Sequence, residues 1–395
     1  MKIMKLWLCS VLLMALSLGS AQDITVWTHF GDNDLSWLQQ EAAAFEAAFG
    51  VSVNIVRVDL EEITQRMLLS APQGEAADLI IPIPHDQLGE MAAGGVLADM
   101  GQYASDGELA DLSEQARLAF TFGGTLFGLP MYVEGPALIY NTDLLPELPE
   151  TFEAFLEQVQ DLGDDTDGFM YDITNFYFSY VFINSQGGYV FGRDDSGSLE
   201  PSNIGLANEG AARGVSIMHS LRFDYDLIPE GVNSEVAEGL FADGRLAAIF
   251  SGPWTIGNFN NAGIPLAVAP IPPMADGTTF QGFMGVQGVL MNEFSQSKTD
   301  AANFAKFLTR ADAQVSLARL SGRIPSSQAA AADVADDPVI AGFAAALAEA
   351  DPMPNIPEMG RVWEPMANAL ELIMQDPNAD IAATLQQAVA QIMGN

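Results

Sequence analysis

One stretch limits the fold more than any other, residues 128–155. Residues 129–133 form a short apolar strand carrying Pro130, and residues 137–140 a second strand ending on Asn141. Glu134 stands between them, followed by Gly135 and Pro136. A carboxylate between two buried strands is costly unless it is paired or faces a cleft. Beyond Asn141 come a loop with Pro146 and Pro149 and then a helix. Thr151 is the N-cap candidate for that helix, with Phe152, Phe155 and Leu156 on one face. Strand, crossing carboxylate, strand and capped helix describe a chain passing from one lobe into another.

The segment before this crossing has the rhythm of a parallel α/β sheet. Residues 24–27 read as a strand, followed by a polar loop at 29–34. Leu35, Leu38, Ala42, Phe45 and Phe49 recur at helical spacing, and Gly50 ends that helix. A strand over 51–58, a helix over 61–69 and a short strand over 78–81 complete a βαβ series. Open α/β sheets bind ligands at the loops beyond the C-terminal ends of their strands. After the crossing, residues 169–180 are rich in aromatics. Helices are expected over 203–221 and 234–241, strands over 246–250, 264–271 and 285–291, and a helical pair over 300–320. From Ala335 the chain reads as helical to the end, with one sharp interruption at 353–357. There is no internal repeat and no flexible linker.

Lys2 and Lys5 precede an apolar run over 6–18 and the small residues Gly19-Ser20-Ala21, which reads as a cleaved export leader over residues 1–22. That run is too short to span a bilayer. The single cysteine, Cys9, lies inside it without the small-residue context of a lipoprotein site. The mature protein is therefore expected to be exported, soluble and free of disulfides. With 15 Lys and Arg against 52 Asp and Glu, the net charge of −37 sets nucleic acid and anionic lipid aside as partners. Most of those acids are read as a solvated surface.

No catalytic signature emerges. His29, His85 and His219 lack metal-ligand spacing, and neither a Gly-x-Ser-x-Gly motif nor a phosphate loop with its Lys is present. The notable feature is aromatic residues beside turns: Trp254 after Gly-Pro, Trp363 past Pro357 and Gly360, and Phe176-Tyr177. Such rings are either core or the flat platforms of a sugar cleft, which pairs apolar faces with acid and amide rims.

Four runs carry a resemblance to a known family: Val-Glu-Gly-Pro-Ala-Leu-Ile-Tyr-Asn at 133–141, Gly-Gly-Tyr at 187–189, Gly-Pro-Trp at 252–254 and Met-Pro-Asn-Ile-Pro-Glu-Met at 353–359, with His85-Asp86 after the third strand. With gaps, nearly the whole mature chain resembles the maltose- and maltodextrin-binding proteins, the extracytoplasmic receptors of ABC sugar importers. The resemblance implies an α/β, two-lobed periplasmic binding protein fold with an interlobe ligand cleft and three hinge crossings. The lobes would comprise 23–133 with 286–334, and 136–283 with 338–395. It implies that Trp254, Trp363 and Tyr177 stack on sugar, that Glu134, Asp86 and Glu61 bind hydroxyls, and that Asp32 falls in a loop one residue longer than the family's. Asn175 and Phe176 stand where the family has Glu-Pro. Ile83, Gln87 and Ala367 replace a tryptophan and two arginines. The expected ligand is a maltodextrin, maltose or a related α-glucoside such as trehalose. The expected partner is the membrane permease of an importer, met by a monomeric, non-enzymatic receptor that needs no cofactor and no metal. The alternatives are the same fold with another solute, a phosphorylated one included, and a secreted carbohydrate-active enzyme. A phosphate ligand would want Arg or Lys in the cleft, and none stands at the matched positions.

Overall fold

The computed structural model describes residues 23–162 and 166–394, the side chain of Asp32 excepted. The leader expected over 1–22, with Cys9, lies outside the described residues. Two large sheets organise the chain, and their strands are numbered here in chain order. The first sheet holds β1 (Ile24–Thr28), β2 (Val53–Arg57), β3 (Leu79–Pro84), β4 (Gly128–Glu134), β9 (Phe283–Met291) and β10 (Ile324–Pro325), with β11 (Asp351–Pro352) on the end of β9. The second holds β5 (Ala137–Asn141), β6 (Asp167–Met170), β7 (Leu246–Ser251) and β8 (Leu266–Ala269). The orders are β10-β4-β9-β3-β1-β2 and β8-β5-β7-β6. The parallel β3-β1-β2 core is the expected βαβ series, and β9 runs antiparallel between β3 and β4.

Local chemistry sets the element ends. The helix Asp32–Phe49 stops at Gly50, whose φ of 72° suits glycine. Thr151 caps Phe152–Gln160, its hydroxyl accepting from the Ala154 amide. Two expected elements are shorter than their patterns. The strand expected over 264–271 is trimmed to Leu266–Ala269, because Pro265 and Pro270 have no N–H for a ladder. The helix expected from 203 begins at Glu209, where the Asn208 side chain accepts from Ala211 N at 2.7 Å. The C-terminal stretch is also less continuous than expected: β11 precedes the turn Pro357–Arg361, and a second break separates the helices Trp363–Gln375 and Ile381–Ile392.

The lobes meet where chain passes between sheets. One crossing is the step from β4 to β5, through Glu134. A second is β9, all nine residues of which are buried. Phe283 sits in the core of the second lobe and Val286 and Val289 in the core of the first. The third runs from the helix Gln328–Asp333, packed on Ala311–Ser321, to the helix Pro338–Ala346, packed on β8. The chain then leans back on the first lobe. The segment after β11 packs on the helix Leu88–Ala93, where Gly89 is required: a Cβ there would lie 2.5 Å from Asn355 O.

His85 ties these passages together. Buried at the end of β3, its Nδ1 accepts from Val286 N at 3.0 Å, and its Nε2 donates to Met353 O at 2.8 Å. Desolvation lowers its pKa from 6.5 to about 4, the two backbone bonds opposing that shift. The unfolded chain therefore takes up a proton between pH 6.5 and 4 that the folded chain refuses. The contribution to stability is complete above pH 6.5 and is lost as pH falls toward 4, up to about 3 kcal/mol. Replacing His85→Gln should flatten the fall of the urea midpoint between pH 7 and 4.5 by close to one proton. His29, shifted in the same direction, supplies slope that stays. An unchanged slope would show that His85 protonates within the folded state.

Candidate functional site

The cleft between the sheets is a cavity of about 910 Å³, toward the upper end of the roughly 300–1,000 Å³ usual for small-molecule sites. Its second-lobe wall is aromatic. Trp254 follows β7 in the turn Pro253–Thr255, and the Gly-Pro-Trp spelling has a steric cause. The indole folds back over Gly252, where a Cβ would lie 2.0 Å from the ring. Trp363 opens the helix Trp363–Gln375, and Tyr177 lies in the first turn of Phe176–Ser185. Tyr177 lies 6.2 Å from Trp254, centroid to centroid, and stacks on Phe283 behind it. Interaction with Trp254 opposes the upward push of burial on the Glu238 carboxyl, and Trp363 does the same for Asp86.

The first-lobe side is acidic. Glu61 begins the helix Leu60–Ser70, and Asp86 follows His85. Burial raises the Asp86 pKa to about 7, against the bonds from its own backbone and from the Trp363 indole. Asp86 Oδ1 has no protein partner, nor have His29 Nε2 and Gln287 Oε1, and all three residues line the cavity. Gln87 accepts from the Thr64 hydroxyl at 2.6 Å.

At the floor lies a buried ion cluster. Arg323 Nε donates to Glu134 Oε2 at 3.0 Å, and its terminal nitrogen donates to Asp34 Oδ2 at 2.7 Å. The guanidinium lies 4.8 Å from the ring centre of Tyr132. Gln287 Nε2 donates to the other Glu134 oxygen at 2.7 Å. Burial works to lower the Arg323 pKa, and Tyr132, Asp34 and Glu134 outweigh it, so the arginine is firmly charged. Burial pushes Glu134 up, with Arg323 the main opposing influence. Two carboxyl groups share the one cation of the cluster. Two edges of the guanidinium are occupied by carboxylates, so it is no open anion receptor.

Of the residues expected from sequence, the cavity wall gathers Glu61, Asp86, Glu134, Asn175, Tyr177, Trp254 and Trp363. Phe176 is not on that wall: its ring is 2% exposed and packs edge-on to Trp363 and Phe283 behind it, while Tyr177 and Phe178 both line the cavity. Asp32 stands between Gly31 and Asn33, both of which line the cleft; its side chain lies outside the described residues. Ile83 is fully buried in the first lobe. Sequence reasoning missed His29, Asp34, Gln287 and Arg323. A lone amide in the otherwise apolar run Phe283–Met291 marked Gln287, and nothing local marked the pairing of Arg323. Among the described residues no group of three His, Cys, Asp or Glu is placed to hold a metal, and no helix is long and apolar enough to cross a membrane.

Two α/β lobes enclosing a deep cleft with an aromatic wall and an acidic floor define a solute-binding protein. Residues 40–342 match the family described as bacterial extracellular solute-binding protein, and the chain belongs to that family. It is 31% identical to the galactooligosaccharide-binding protein of Bacillus subtilis (strain 168), over 96% of this chain and 91% of that one. It is 28% identical to a maltooligosaccharide ABC transporter solute-binding lipoprotein of Streptococcus pneumoniae R6, over 89% and 84%. Among solved structures, the maltotriose binding protein of Thermus thermophilus, bound with maltotriose, is 43% identical with a TM-score of 0.91, over 94% of this chain and 99% of that chain.

Two outcomes follow from the geometry. Arg323→Leu leaves Asp34 and Glu134 buried without their cation and should cost about 3–5 kcal/mol in urea unfolding at pH 7.5; a loss below about 1 kcal/mol would mean that water already screens the cluster. Gly252→Ala should displace the Trp254 ring, read as a change in indole fluorescence and in the near-ultraviolet circular dichroism of a folded protein. Spectra identical to the parent's would contradict the close approach.

Proposed function

We propose that this protein is the extracytoplasmic receptor of an ABC sugar importer and takes up a neutral maltooligosaccharide of about three glucose units between its lobes. The observation that carries this reading is the aromatic wall of Tyr177, Trp254 and Trp363 facing the acids Glu61, Asp86 and Glu134. Sugar rings offer C–H faces to the first and hydroxyl donors to the second. Asn175 adds an amide at the rim, and Asp32 is assigned with these. An anionic solute would find the one cation of the floor already engaged by Glu134 and Asp34. In this reading 23–133 with 286–334 and 136–283 with 338–395 move as two lobes, sugar selects the closed arrangement, and the closed form docks on the permease. The protein acts as a monomer without turnover. It is exported by cleavage of residues 1–22 and carries no lipid anchor. The likeness to the galactooligosaccharide-binding protein supports a second ligand, a galactooligosaccharide.

Isothermal titration with maltotriose, maltose, trehalose, galactobiose and glucose tests both ligands, with the recovered sugar checked for hydrolysis. Micromolar binding of maltotriose, weakened more than tenfold in Trp254→Ala and Trp363→Ala, is the expected outcome. Binding of galactobiose alone would move the assignment to the second ligand. Full affinity in both tryptophan variants would displace the site.

A further inference from the structure

Gly257 stands at a point where the two lobes touch. It belongs to the helix Ile256–Ala262, which follows the Trp254 turn in the second lobe. Its φ is not positive, so the backbone does not ask for glycine there, and alanine is the better helix former. What glycine supplies is space. A Cβ would lie 2.5 Å from Asn33 Nδ2, and 3.5 and 3.7 Å from Asn33 Cγ and Cβ. Asn33 is a first-lobe residue, in the opening turn of the helix Asp32–Phe49. The next residue, Asp34, is held by Arg323 at 2.7 Å, which anchors the backbone from which Asn33 hangs. Both Asn33 and Gly257 line the cavity. The same second-lobe helix also leans on the first-lobe helix Ala311–Ser321, so the touch at Gly257 is part of a seam between the lobes.

We propose that Asn33 and Gly257 are positioning residues of the cleft: the Asn33 amide seats on the bare backbone of Gly257, and this contact sets how closely the two walls approach the bound sugar. This rests on the reading of the cleft as an oligosaccharide site. A methyl group at 257 falls about 1 Å inside the ~3.5 Å at which non-bonded atoms rest against each other. It is admitted only if the lobes part or the Asn33 amide swings off the seam, and either way the contact is lost. A ligand gripped from both walls feels that change, because a hydrogen bond of about 2.9 Å stretched by about 1 Å is no longer one. The seat lies just beyond Trp254, so one short segment fixes both the stacking platform and the gap across from it. Two alanines would fit where asparagine and glycine meet, since the two Cβ positions are 3.7 Å apart.

The test reads one substitution in two backgrounds, each protein's fold being checked by circular dichroism. Gly257→Ala should weaken maltotriose binding tenfold or more in isothermal titration of the otherwise unchanged protein. In Asn33→Ala protein the same change should cost less than threefold. A tenfold loss in both backgrounds would show that the new methyl group meets the ligand rather than Asn33, and no loss in the first would show that the gap is set elsewhere. Either result overturns the proposal and leaves the sugar reading standing. A second measurement needs no affinity. The 3.7 Å between the Cβ positions matches the ~3.8 Å usual across a disulfide. With the single native cysteine removed by Cys9→Ser, the pair Asn33→Cys and Gly257→Cys should oxidise to an internal bridge, seen on non-reducing gels, and the bridged protein should release maltotriose tenfold or more slowly than the reduced one. A bridge in a protein that binds no oligosaccharide would retire the sugar reading and keep the lobe contact. No bridge, with or without maltotriose, would overturn the contact itself.

Discussion

Arg323 is the charge on which the cleft depends. It brings together three parts of the chain that lie far apart in sequence: Asp34 at the start of the first helix, Glu134 at the first crossing, and its own position before β10. Two carboxylates buried at the floor of the cleft would otherwise repel each other or take up protons. With the guanidinium between them, both remain acceptors in fixed positions, and the fork geometry sets the angle of each. The floor is therefore rigid before any ligand arrives, and the distance between the first helix and the first crossing is held by a charge contact rather than by packing alone.

The aromatic wall is made differently. Trp254 lies over Gly252, Trp363 is backed by Phe176 and Phe283, and Tyr177 is backed by Phe283. The cleft thus joins two kinds of order, an ionic floor and a stacked wall. β9 connects them, carrying Phe283 behind the wall at one end and Gln287 on the floor a few residues later.

Much of this was legible in the residues, and the reasons differ by element. The parallel series of the first lobe follows from apolar periodicity, which is local. The wall was legible because Gly-Pro-Trp and the aromatic run at 176–177 are local spellings of a turn and a helix start. Glu134 was legible because an acid between two apolar strands demands an explanation. What answers that demand could not be read. Arg323 lies 189 positions further along the chain, and no pattern within its own neighbourhood announces a carboxylate partner. Gln287 was within reach as the only strongly polar side chain in an apolar strand. Phe176 lies behind the wall, packed on Trp363 and Phe283, while Tyr177 and Phe178 of the same helix meet the cavity. The strand at 264–271 was overextended because hydrophobicity was weighed there before the prolines that interrupt its ladder.

The contrast between floor and wall bears on how such a receptor changes its diet. Trp254 has its plane set by the backbone of a glycine turn, so altering that ring means rebuilding the turn. The acids and amides sit at helix starts and strand ends: Glu61, Asp86 and Asn175 hang from three separate elements, with Gln87 beside Asp86. In the proposed reading, one exchange there would change one hydroxyl contact and leave its neighbours standing. A lineage built on this plan can wander among oligosaccharides by small steps on the polar side, while the platform keeps the whole repertoire confined to sugars.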